Sequence, residues 1–214
     1  MIPPNDALKL EVFKERLKKR EIWINGILDE TLVERLYVNL IDLEAQSNSS
    51  PITVVINSPG GNFYESVVAT DIMGTLNCPV KTIALATACS GGFIIFMGGQ
   101  ERIIHDNTCL MMHSAGFTEM WGKVPDIQER VDYTNQAQEK MSRFFSIQTE
   151  GKTTPQYWQN LFKSGKDKWF SVEEAVKLGI AHKVIRRLSM VNPELDKREP
   201  YTWDIYDLAK AQQG

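Results

Sequence analysis

Short apolar runs and helix-spaced apolar stripes alternate along most of this chain. Ile22, Trp23 and Ile24 predict a strand over Glu21–Leu28. Leu32, Val33, Leu36, Val38, Leu40, Ile41 and Leu43 recur at helical spacing from Glu30 to Gln46, and Asp29 stands where a helix cap belongs. The turn Ser47–Pro51 leads into Ile52–Ile56, apolar enough to predict a buried strand of a parallel sheet. The same order then repeats: helix Tyr64–Leu76, strand Val80–Ala86, an apolar helix from Ser90 to Met97, and strand-like Arg102–His105 and Cys109–Met112. A long polar helix is predicted over 124–149 and a short one begins near Pro155. Ser171 caps Val172–Leu178, Gly179 ends that helix, and Lys183–Ile185 gives a last strand. Alternating strands and helices predict an α/β fold of right-handed βαβ units around a mostly parallel sheet. A loosely amphipathic helix in residues 1–20 precedes this body. A charged tail beyond Ser189, carrying Tyr201, Trp203 and Tyr206, follows it as an extension outside the core.

Composition narrows the partners. The chain has 214 residues, with 24 Lys and Arg against 27 Asp and Glu and a net charge of −3. That balance lacks the basic footprint of a nucleic-acid binder. No apolar run reaches the ~18 residues of a membrane span, and the first residues carry no signal-peptide pattern. Cys78, Cys89 and Cys109 have no metal-type spacing and fit reduced thiols in a cytoplasm. The expectation is a soluble cytoplasmic protein with no cofactor, no metal, no membrane and no nucleic acid.

Two glycine pairs carry the chemistry. Ile56-Asn57-Ser58-Pro59-Gly60-Gly61 and Ala88-Cys89-Ser90-Gly91-Gly92-Phe93 each stand where a strand gives way to a helix. Glycines there let the backbone come close to a ligand and leave N–H groups available to an anion. Ser90 in the second turn suggests a nucleophile beside an oxyanion hole. A serine nucleophile needs a base, and only three histidines compete. His113 ends the strand Leu110-Met111-Met112, at the mouth of the sheet where sites of open α/β folds lie, whereas His105 and His182 read as structural groups. Spacing does not select a carboxylate. By composition Asp167 reads as a solvated loop charge. Cys89 reads as a small buried side chain, with its thiol as the alternative nucleophile.

Several segments together resemble the proteolytic subunit of the Clp protease, the ClpP family. They are the run from Lys19 to Gly61, the Ser90 turn, Met111-Met112-His113, and Asp167-Lys168-Trp169-Phe170-Ser171 continuing to Gly179. The similarity covers about residues 15–187, and the order Ser, His, Asp is the family's. Around the nucleophile the family usually has Ala-Ser-Met-Gly-Ala, where this chain has Cys89-Ser90-Gly91-Gly92-Phe93. The resemblance implies a ClpP/crotonase-like spiral of βαβ units with a protruding handle helix at about 124–149. It implies a peptidase domain over 21–187, between an N-terminal segment 1–20 and a C-terminal extension 188–214. Ser90 resembles the nucleophile, His113 the general base and acid, and Asp167 the group orienting the imidazole. Gly61 and Gly91 resemble the two oxyanion donors. The partners implied are protein or peptide substrates, copies of the chain itself in heptameric rings stacked as a tetradecamer, and a Clp-type ATPase. Two other readings use the same fold. A catalytically silent ring or scaffold subunit would lack the triad residues, which are all present, and an acyl-CoA lyase would need no serine or histidine at these places.

Overall fold

The computed structural model describes residues 4–117, 120–187 and 203–206. Its elements are α1 (Pro4–Lys18), β1 (Glu21–Asn25), α2 (Glu30–Gln46), β2 (Ile52–Ser58), α3 (Phe63–Thr75), β3 (Val80–Cys89), α4 (Gly91–Met97), β4 (Glu101–His105) and β5 (Cys109–Met112). There follow α5 (Val124–Gln148), α6 (Pro155–Ser164), β6 (Lys168–Phe170), α7 (Val172–Lys177), β7 (Lys183–Arg187) and β8 (Trp203–Tyr206). The sheet runs β1-β2-β3-β4-β7-β8, and β5 leaves that path to pair with β3 and β6. All pairings through β7 are parallel except β5 with β6, and β7 with β8 is antiparallel. This α/β arrangement of successive crossovers is the one expected.

Local chemistry explains the elements. In β1 Ile22 and Ile24 are buried while Trp23 is exposed, as alternation on an outer strand requires. Asp29 caps α2 by accepting the Leu32 N–H at 2.8 Å. The helix then buries Leu32, Val33, Leu36, Leu40 and Leu43 along one stripe, each such side chain stabilising the fold by roughly 1.5–3 kcal/mol. Ser171 caps α7 by accepting the Glu174 N–H, also as expected.

Apart from shifted ends, β1 stopping at Asn25 rather than Leu28 and β2 reaching Ser58 rather than Ile56, two strands depart from expectation. β3 does not stop at Ala86 but continues to Cys89. Its register against β2 slips, with Ile56 opposite Ala84 but Ser58 opposite Ala88, and Ala86 takes φ 52 at the irregularity. Such a bulge re-aims a strand. The lower part of β3 pairs with β4 and the upper part with β5, so the bulge carries the chain toward the site. The second departure is in the tail, where Trp203–Tyr206 forms β8 on the edge of β7; the other tail residues lie outside the described residues.

An aromatic cluster ties the layers together behind the site. Phe93 of α4 stacks on Phe170 of β6 at 5.5 Å and meets Phe145 of α5 edge-on at 5.6 Å; Trp158 of α6 packs against all three. All four are buried.

Candidate active site

Ser90 occupies the single residue between β3 and α4, with φ 52 and ψ −119. A side chain at positive φ is strained, and the strain turns the hydroxyl out at the end of the sheet, as in a nucleophile elbow. Its N–H donates to the Met111 carbonyl at 2.8 Å, fixing the turn to β5. His113 lies two residues beyond Met111, on the same face of that strand direction. Its Nε2 stands 2.8 Å from Ser90 Oγ. With the imidazole proton on Nδ1, the hydroxyl donates to Nε2, the geometry a general base requires.

Asp167 arrives by a different route. β5 and β6 pair antiparallel with Met112 opposite Lys168, so the residues one step further, His113 and Asp167, face each other. Asp167 Oδ1 lies 4.0 Å from His113 Nδ1 and its side chain is 57% exposed. That is ion-pair reach, about 1 Å longer than a hydrogen bond. The structure thus brings serine and histidine into contact and sets the carboxylate at the edge of the relay.

The first glycine pair is zipped to Leu28. Leu28 N–H donates to the Gly60 carbonyl, Asn62 N–H donates to the Leu28 carbonyl, and Gly61 bridges Leu28 in parallel. Ser58 Oγ braces the turn, accepting the Gly60 N–H at 3.1 Å while donating to the Gly26 carbonyl at 2.7 Å. Gly60 has φ 106, and a Cβ on it would stand 2.7 Å from Ser90 Cβ and 3.0 Å from Gly91 N. The two turns therefore touch only because this residue is glycine. The glycine doublet marks this turn in the sequence, but the close approach of Gly60 to Ser90 is visible only in the fold.

Gly61 lines a cavity of about 710 Å³ together with Ser90 and His113, walled by Phe63, Tyr64, Ile94, Met112, Ala115, Gly116 and Phe117. Gly91 is buried behind it, where a Cβ would collide with Ser66 Oγ. As the first residue of α4 its N–H has no partner within the helix. Tyr64 and Phe117 also border a second cavity of about 900 Å³ along α5.

The neighbouring candidates separate cleanly. Cys89 is buried and donates weakly to the Cys109 carbonyl; burial pushes its thiol up to about 11, so it stays protonated and unreactive near neutrality. His182 Nδ1 accepts the Arg102 main-chain N–H at 3.0 Å, a structural task. His105 sits in β4, and burial lowers its pKa. Among the described residues, no helix is long and apolar enough to cross a membrane.

Comparison with known proteins places this chain in a family. The chain matches the family described as Clp protease over residues 5–188, and it belongs to that family of serine-type peptidases. It is 28% identical to the ATP-dependent Clp protease proteolytic subunit 1 of Salinibacter ruber, over 82% of this chain and 74% of that one. It is 28% identical to subunit 1 of Streptomyces avermitilis (85% and 82% covered) and 27% identical to subunit 2 of Tropheryma whipplei (80% and 93%).

Proposed function

We propose that this chain is the peptidase core of a Clp-type protease, and that Ser90, His113 and Asp167 form its catalytic triad. The 2.8 Å approach of His113 Nε2 to Ser90 Oγ, at a strained turn facing a cavity, carries the assignment. His113 takes the hydroxyl proton as Ser90 Oγ attacks a peptide carbonyl. The resulting oxyanion rests on the N–H groups of Gly61 and Gly91. The C–N bond breaks, His113 hands its proton to the departing amine, and the acyl chain remains on Ser90 as an ester. Water, deprotonated by His113, then releases the acid and restores the hydroxyl. Asp167 moves about 1 Å closer in the working state and stabilises the imidazolium through Nδ1–H.

The substrates are unfolded proteins or peptides. Two adjoining cavities sharing Tyr64 and Phe117 suit an extended chain better than a small acyl ester. The peptidase body spans 21–187 with the handle at 124–149, and copies assemble in heptameric rings stacked as a tetradecamer. It works in the cytoplasm with a Clp-type ATPase feeding it substrate. The test is covalent labelling by a fluorophosphonate: the parent chain is expected to label and Ser90→Ala to lose the label. A parent chain that stays unlabelled while folded and assembled refutes the peptidase reading.

A further inference from the structure

The segment after His113 is thinly held. Ser114 to Phe117 forms no helix or strand. Its front borders the 710 Å³ cavity through Ala115, Gly116 and Phe117, and its back borders another cavity, of about 460 Å³, through Ser114 and Ala115. It is a wall between two spaces. Among the described residues, one hydrogen bond ties its main chain to the rest of the protein: Ala115 N–H donates to Gln138 Oε1 at 2.8 Å.

Gln138 is built for that task. It lies in α5, 8% exposed, one turn after the buried Thr134 and one turn before the buried Ser142. Its own carbonyl accepts the Ser142 hydroxyl at 2.9 Å, and its Nε2 leans toward Asn135 Oδ1 at 3.4 Å, which leaves Oε1 turned to Ala115. A buried amide side chain loses rotamer freedom and water contacts, so its placement must be offset by bonds such as this one. The opposite wall is tied to the same helix. Thr134 Oγ1 donates to the Arg130 carbonyl and so accepts from Tyr64 Oη at 3.1 Å, three residues beyond Gly61.

We propose that Gln138 is a positioning residue: by holding the Ala115 N–H it sets the chain after His113, and with it the imidazole, relative to Ser90. The inference rests on the triad reading above. A loosened wall lets the imidazole drift from Ser90 Oγ, and misplacements near 1 Å cost on the order of 10²-fold in rate.

Two substitutions and two readouts test it on the full chain. Gln138→Met keeps length and removes the acceptor, whereas Gln138→Glu keeps an accepting oxygen. Hydrogen exchange of the peptide containing 114–117 is expected to speed up in Gln138→Met and return toward the parent rate in Gln138→Glu. The fluorophosphonate labelling rate and peptide kcat are expected to fall together, about tenfold to a hundredfold, in Gln138→Met, with KM and Tm little changed and Gln138→Glu restoring most of the rate. Unchanged exchange in Gln138→Met, or unchanged labelling and kcat despite faster exchange, overturns the proposal. So does a Gln138→Glu variant that folds yet is as slow as Gln138→Met. A parent chain that never labels sinks the peptidase reading instead, and the exchange arm still decides whether Gln138 is the anchor.

Discussion

Ser90 sits at φ 52, which costs a residue with a Cβ on the order of 1–3 kcal/mol and costs glycine nothing comparable. Ser90→Ala keeps the Cβ and the strain; Ser90→Gly removes both. The glycine variant also gains unfolded-state freedom, a penalty of about 0.4–1 kcal/mol. Denaturant unfolding is therefore expected to find Ser90→Gly more stable than Ser90→Ala by about 1 kcal/mol, with neither taking the label. Equal stability would mean that the turn carries no strain. At this scale the sequence announced the doublets, the serine and the histidine, because glycine pairs at strand ends and a scarce residue type are local signals. Asp167 gave no local signal: only the β5–β6 pairing sets it opposite His113, and resemblance had to supply it. Gln138 and Tyr64 were silent too. Each is one polar residue on a helix, and its partner lies 23 or 70 positions away.

At the scale of elements, Arg102 joins β4 to the ends of α5 and α7. It is 1% exposed, and its guanidinium donates to the carbonyls of Gly99, Gln148, Gly179 and Ile180. The His182 ring completes this junction, with Nδ1 accepting from the Arg102 backbone and Nε2 3.0 Å from Nη2. Burial, and then the adjacent guanidinium, push His182 down to about 4 from an ordinary 6.5. The unfolded chain thus binds this proton more readily than the folded one. The stabilisation is complete above about 6.5 and is lost as pH falls toward about 4. Denaturant midpoints are expected to drop across that window, and to drop less in His182→Gln; an identical drop in both would assign the effect elsewhere. Helix and strand periodicity exposed the caps, stripes and most strands of these elements. The continuation of β3 past Ala86 was hidden, because a bulge breaks the alternation by which a strand is recognised. The strand in the tail was hidden among charges, since its reason for being there is the free edge of β7.

For the whole molecule, the surface leaves several large apolar side chains in water. Val38 and Ile41 stand exposed on α2, while Val124, Tyr133 and Ile147 stand exposed on α5. Apolar side chains exposed on two separate helices suit two kinds of contact. Closing a ring takes a heterologous contact, in which one patch meets a different surface of the next copy. Stacking two rings face to face takes an isologous contact, in which a patch meets itself. If copies assemble as proposed above, α2 would serve the ring contact and α5 the stacking contact, in keeping with the handle-helix reading. A charge placed on each should then fail differently. Ile41→Asp is expected to yield monomers or small fragments by native mass measurement, because every junction in the ring carries the change. Ile147→Asp is expected to leave single rings at half the parent mass, since a carboxylate placed in the stacking contact opposes that contact and leaves the ring contact unchanged. Reversed outcomes would exchange the two assignments. Parent-like masses in both variants would separate these patches from assembly altogether, and the exposed faces would then have to be explained by contacts with other proteins.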